Sequence, residues 1–311
     1  MPELLTETFV TALLFGAVTA GMPLLLAGIG EQISEKAGVL NIGLEGMMLV
    51  GAYSGFCAAY YLDSFWLGFL FGGLGGIAVA ALMVLFCVLL GLNQIVIGIA
   101  LTLGADGLTA LLHHFQFSRT YPRLPAVDPL VIPVVSEIPF LGKVLFQRHP
   151  IVYLSVLLVF VLVWVFRKTY IGLNLQAAGD VPAALDVSGV SVRSTRTWAV
   201  LTTGAFAGAG GAFLANVGAG LFVPFMTGGA GFIGIVLAML ARGHPTWVLY
   251  GAGLFGISLS LTTALQVAGF NIPTDVVQML PFGMVILMLI MLGRNSYLPA
   301  ALALPYIRGG R

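Results

Sequence analysis

The sequence predicts an all-α fold, a polytopic transmembrane helical bundle of about nine spans, and three observations carry that reading. Of 311 residues, 59% are hydrophobic and 8% are charged, whereas a soluble domain carries about 25% charged residues. The charged residues bound long uncharged runs at 8–30, 46–62, 64–105, 149–166, 197–241, 243–274 and 276–293. These runs are continuously apolar rather than alternating, so the backbone must satisfy itself within helices rather than in a closed barrel.

A spanning helix needs about 20 apolar residues, which divides the runs into elements. The first run predicts a helix over 8–29. The stretch Met1–Val10 holds Glu3 and Glu7 but no Lys or Arg. It lacks the basic start of a secretory signal, so the first run is expected to stay as a membrane helix. A second helix is expected over 43–62. The 42-residue run 64–105 must hold two helices, 65–91 and 94–115, broken near Gly91-Leu92-Asn93-Gln94. A further helix is expected over 150–167. The 45-residue run 197–241 must also hold two, 196–217 and 228–241, broken between Gly218 and Gly229 around Pro224. Helices over 246–268 and 275–292 complete the nine. The segments around 30–45 and 228–241 read as broken or re-entrant, which sets a range of eight to ten. All of 1–311 forms a single transmembrane domain.

Small residues recur at helical spacing, at Gly68, Gly72 and Gly76 and again at Gly204 and Gly208. That spacing lets helices approach closely in lipid. Each half also has a glycine-interrupted region, a pattern compatible with a pseudo-symmetric transporter.

Charge asymmetry sets the expected orientation. The segment 168–195 and its borders carry Arg167, Lys168, Arg193 and Arg196, which puts it in the cytoplasm. Alternation then puts 116–149 outside as an external loop. Nine basic residues fall inside against four outside, and the N-terminus falls outside.

Several chemistries are excluded or weakened. A net charge of +1 gives no footprint for nucleic acid. Cys57 and Cys87 lie in apolar segments, and no CxxC or His/Cys cluster suggests a metal. There is no HExxH and no GxSxG for an intramembrane enzyme; His113-His114 and His244 read as packing or interfacial residues. No GxxxxGK[ST] loop is present, because Gly142-Lys143 is followed by Val144. The chain is therefore not expected to bind ATP in the usual way, and if it moves a solute uphill the energy must come from a partner. Asp106 is the lone acid of its helix. It leaves an ion-driven secondary transporter as a rival reading.

Two segments are more specific. Gly30–Tyr53 packs Glu31, Glu35, Glu45, Lys36 and Asn41 into the junction between two apolar helices. Intramembrane ionisable groups are costly and serve a pathway or a buried pair. Glu45, at the start of a helix, reads as a cap, a partner for Lys36, or a residue of the solute pathway. Gly172–Val190 reads as a loop with a short helix. Asp180 is its expected N-cap, Pro182 lies in the first turn, and Gly189 is the stop.

On these segments the chain resembles the permease family of ATP-binding-cassette importers that includes branched-chain amino acid, ribose and nucleoside systems. The stretch Ala178-Gly179-Asp180-Val181-Pro182-Ala183-Ala184 with Gly189-Val190 is similar to that family's ATPase-coupling loop. The stretch from Gly38 to Met48 is most similar to the nucleoside branch, which works with binding proteins of the basic membrane protein class. The His-Gly-Glu variant of the amino acid branch and the Gly-Ile-Asp-Leu-Ser type of the ribose branch are absent. The resemblance covers about residues 10–295.

The resemblance implies a bacterial inner-membrane subunit that translocates a small solute, most simply a nucleoside, with branched-chain amino acids or simple sugars as alternatives. It implies a cytoplasmic ATPase that uses the ATP, a second permease subunit in a heterodimer, and an external substrate-binding protein. No cofactor belongs to this chain itself. Ala178, Gly179, Asp180, Pro182, Ala183, Ala184 and Gly189 would form the coupling element. A nucleoside needs amides or hydroxyls and few charges along its path. Asn41, Asn93, Gln94 and Thr102 join Glu45 as the candidate pathway residues, with Asn216 and Gln266 behind them.

Overall fold

A computed structural model describes residues 7–126, 129–131, 141–267 and 298–307, with isolated positions between 279 and 290. Eleven helices are seen among them. The helices are α1 (Glu7–Lys36), α2 (Leu44–Leu62), α3 (Phe65–Met83), α4 (Gln94–Phe117), α5 (Leu141–Leu145), α6 (Pro150–Lys168), α7 (Tyr170–Asp180), α8 (Pro182–Val187), α9 (Val192–Phe213), α10 (Ala230–Leu240) and α11 (Pro245–Val267). Eight of the nine expected spans coincide with described helices; the ninth, 275–292, lies outside the described residues apart from isolated positions. Five stretches are by themselves long and apolar enough to cross a membrane: Phe9–Lys36, Phe65–Leu89, Gln94–Phe117, Pro150–Lys168 and Val192–Ala219.

Both expected breaks are real. α3 runs into a π-helical turn, Val84–Leu89, followed by Gly91 at φ 69°. α9 runs into another, Leu214–Ala219, followed by Gly220 at φ 68°. The two halves thus end a long helix by the same device. The segment 116–149 departs from pure helix. Leu130–Val131 (β1) pairs antiparallel with Gln147–Arg148 (β2), with α5 between them.

α9 sits at the centre and packs on α1, α2 and α3. The glycine spacing explains how. A Cβ on Gly76 would strike the Gly204 carbonyl, and one on Gly208 would strike the Gly72 carbonyl. α3 and α9 therefore meet backbone to backbone, where small residues let dispersion contacts form at close range. α11 lies antiparallel to α1, with Gly16 beside Ser260 and Gly28 beside Val248. α10 lies parallel to α1, with Gly234 against Ala27 and Gly243 near Lys36. At 11 residues, α10 spans about half of a ~30 Å hydrocarbon core, and it begins inside the bundle.

Two boundaries differ from the sequence expectation. α1 does not stop at residue 29 but continues to Lys36, carrying Glu31 and Glu35 inside the helix, both buried. The loop before Pro182 is helical too, as α7, so Asp180 closes α7 instead of capping α8. Val181 is the N-cap of α8, and its aliphatic side chain makes no cap bond. Pro182 at the first position of α8 supplies the preset φ and needs no donor.

Candidate coupling foot and solute pathway

The foot is built at one end of the bundle. Thr169 caps α7, its hydroxyl accepting from the Gly172 N–H at 3.3 Å. α8 follows after one extended residue and ends at Gly189, whose φ of 87° suits glycine. Leu185 is the buried anchor of α8 and packs with Ala178 and Val192. Around it Val181, Ala183, Ala184, Val187, Ser188 and Gly189 are exposed. Val187 is 90% exposed. The anchored Leu185 thus leaves the other apolar side chains of α8 turned outward from the bundle.

The foot is fastened to α1. A Cβ on Gly179 would collide with the Lys36 carbonyl and press on the Gly38 amide, so only glycine permits this approach. Arg196, buried at the start of α9, ties three segments together. Its Nε donates to the Ala37 carbonyl at 3.1 Å, Nη2 to Ala178 at 3.2 Å and Nη1 to Leu304 at 2.8 Å. The segment 298–307 completes the joint, the Ala301 N–H donating to the Gly179 carbonyl at 2.8 Å. A crevice of about 40 Å³ beside it gathers Glu35, Lys36, Asp180 and Arg242. The sequence marked Arg196 only as a basic residue for orientation.

The candidate pathway residues fall into groups. The chain from Ala37 to Gly43 folds back along α1. Glu31 Oε1 accepts from the Asn41 N–H at 3.0 Å, and Gln94 Oε1 accepts from the Leu40 N–H at 2.8 Å. Asn41 is fully buried, and its Nδ2 donates to the Met47 sulfur at 3.3 Å. Gln94 and Glu31 thus hold consecutive amides, Leu40 and Asn41, of this returning chain. Asn93 is the N-cap of α4 and accepts from the Ile95 and Val96 amides. Glu45 caps neither its own helix nor Lys36. Its two oxygens accept from the Gly229 and Gly231 amides at 2.8 and 2.6 Å, at the start of α10. That carboxylate answers the positive end of the half-helix inside the bundle. Gly46, the next residue, packs on α4 at Thr102, whose buried hydroxyl has no hydrogen-bond partner among the described residues. Asn216 donates to the Gly55 carbonyl at 3.3 Å, and its buried Oδ1 has no partner among the described residues. The side chain of Gln266 lies outside the described residues.

At the opposite end a cavity of about 510 Å³ is bordered by Thr19, Arg148, His149 and Asn216. Arg148 mirrors Arg196. Nε donates to the Val144 carbonyl at 2.7 Å, Nη2 to the Phe15 carbonyl at 2.9 Å, and Nη1 to the Thr19 hydroxyl at 3.0 Å. The guanidinium also lies 3.6 Å from the centre of the Phe15 ring. Burial pushes its pKa down to about 10, still well above neutrality. His149 beside it caps α6 through Nδ1, and burial lowers its pKa as well.

Residues 13–289 match the family described as the branched-chain amino acid transport system / permease component. The chain belongs to that permease family. It is therefore a membrane-embedded transport component of an ATP-binding-cassette system and not an enzyme. The permease is 39% identical to a candidate glucose ABC transporter permease of Haloferax volcanii, over 83% of its own length and 81% of that protein's. It is 31% identical to a nucleoside ABC transporter permease of Lactococcus lactis, over 92% and 93% of the two chains. It is 30% identical to a guanosine ABC transporter permease of Bacillus subtilis, over 93% and 94%. Among solved structures it is similar in fold to a candidate metal-chelate type ABC transporter in an inward-facing conformation. That match has a TM-score of 0.50 and 19% identity, over 90% of this chain and 86% of the other.

Proposed function

We propose that the permease is one half of a heterodimeric pathway in a bacterial inner membrane, importing a nucleoside delivered by an external binding protein. The foot, α7 and α8, faces the cytoplasm and receives an ATPase; 116–149 faces outward. ATP is used by that partner. Closure of two ATPase halves would pull on Val181, Ala183, Ala184 and Val187. The Gly179 contact and the Arg196 joint would carry the pull into α1. The single observation behind this reading is the exposed apolar surface of α8 on a buried Leu185 anchor, rigidly fastened to a long helix.

Two nucleoside-type relatives aligned over more than nine-tenths of both chains support the solute class. The Haloferax relative supports glucose as the second reading. Nucleosides and glucose share neighbouring hydroxyl groups, so both ask for hydrogen-bonding groups along the path.

Ala183→Glu with Ala184→Glu tests the docking. The permease is expected to insert and purify normally while ATPase association and ATP-driven uptake are both lost. Retention of both activities would show that the foot is not the docking element. Impermeant labelling of residues 175–190 from the cytoplasmic side checks the orientation.

A further inference from the structure

We infer that Asp106 is a solute-contact residue on the wall of the translocation pathway, where its carboxylate accepts hydrogen bonds from the hydroxyls of a neutral polyhydroxylated solute. The inference rests on the reading above that this chain lines a path for such a solute.

The argument begins with depth. Asp106 stands 12 residues after the start of α4 and 11 before its end. That is about 18 and 16 Å along the axis, beyond what an aspartate side chain can bridge to either end. A carboxylate at such depth is too costly to leave in lipid and must face protein or water. Yet Asp106 is half-buried, and among the described residues no hydrogen bond or ion pair reaches its carboxylate. α4 is also the least covered of the five long helices. Over its apolar 18-residue stretch 22% of residues are buried, against 61% in the span Val192–Ala219. The carboxylate therefore waits for a polar occupant that the described residues do not supply.

Its neighbours indicate where that occupant sits. Thr102 lies one turn before Asp106 on the same side of α4, buried and with its hydroxyl unpartnered. His113, two turns later on that side, packs its ring on Phe222 of the chain leading into α10, with centroids 5.7 Å apart. Gly46 of α2 presses on α4 at Leu101–Ala105, and the adjacent Glu45 holds the start of α10. Asp106 thus borders the junction of α2, α4 and the re-entrant chain before the half-helix. Glu45 has both oxygens engaged there, whereas among the described residues Asp106 has neither. A free carboxylate beside a free hydroxyl suits a pair of adjacent solute hydroxyls, with the hydroxyls donating to Asp106.

The test uses the whole complex of permease pair, ATPase and binding protein in proteoliposomes, with ATP-driven uptake of radiolabelled guanosine and glucose. Asp106→Ala and Asp106→Asn should lower uptake of the transported solute about tenfold or more, the factor expected for losing a charged hydrogen bond. Assembly with the ATPase should be unchanged. In a Cys57→Ser, Cys87→Ala background, Asp106→Cys should react with a charged thiol reagent, and the transported solute should slow that reaction. Wild-type uptake by Asp106→Ala overturns the inference alone. So does a cysteine at 106 that is unreactive, which would mean a lipid or partner-subunit contact, or one that reacts without protection, which would mean a watered surface away from the solute. A wild-type complex that moves neither solute overturns the underlying reading and the inference with it.

Discussion

Glu45 carries both of its oxygens to a helix start 184 and 186 residues further along the chain. The half-helix α10 opens inside the bundle, and the Glu45 carboxylate supplies acceptors for its first amides. Glu45→Ala should destabilise the purified permease by about 2 kcal/mol, the upper end for a lost cap. Glu45→Gln, which keeps one acceptor oxygen, should cost about half as much. Thermal unfolding in detergent measures the loss, and amide exchange localises it. Faster exchange is expected at residues 229–235; unchanged exchange there would show that the cap is dispensable. The sequence offered a cap as one reading of Glu45, but the helix it caps was not legible. Nothing local marks a partner so distant, and the burial that makes the contact matter exists only in the fold. Asn93, expected along the pathway, is instead a local cap. Asn before an apolar run is a local signal, and its side chain does cap α4.

At the scale of helices, what was legible followed backbone preference. Glycine and asparagine clusters placed the breaks near 91–94 and 218–229, and the chain leaves the helix at both. What was not legible were places where burial overrides local character. Glu31 and Glu35 look like a helix end, yet α1 continues through them, with the returning Asn41 amide donating to Glu31. Asp180 before Val-Pro looks like an N-cap, yet α7 uses it as a last residue. The paired π-helical turns left no sequence mark beyond the glycines that follow them. The seam between α3 and α9 gives a sharp contrast to test. Gly76→Ala puts a methyl against the Gly204 carbonyl, where backbone would have to move. Overpacking of that kind costs about 1–3 kcal/mol. Gly104→Ala, where an added Cβ meets nothing within 4 Å, should leave stability unchanged or raise it by up to about 1 kcal/mol. Equal melting temperatures for the two variants would mean that the seam is looser than it looks.

Across the whole molecule, the foot and the long helices behave as one mechanical part only if the joint between them is stiff. Arg196 supplies the stiffness by joining the end of α1, the end of α7 and residues 298–307. Arg196→Ala should leave three carbonyls short of a donor at once, at a total cost of about 3 kcal/mol or more. Limited proteolysis should then open the 298–307 segment, and ATP hydrolysis by the complex should persist while uptake falls. Tight coupling retained in this variant would move the joint elsewhere. The class of fold was legible from composition alone, since a chain this apolar has few other solvents to fold in. The joint was not, because it depends on backbone atoms that every residue shares.

That same dependence has a consequence for how such a protein can change over time. Arg196 and Arg148 clasp almost nothing but peptide carbonyls, which survive any substitution that leaves the main chain in place. Their neighbours are therefore free to drift as the bundle adapts to new cargo or new lipids, while the two guanidinium groups are not. Replacement of either arginine by lysine, a change usually considered mild, would lose the planar fork that reaches three acceptors together.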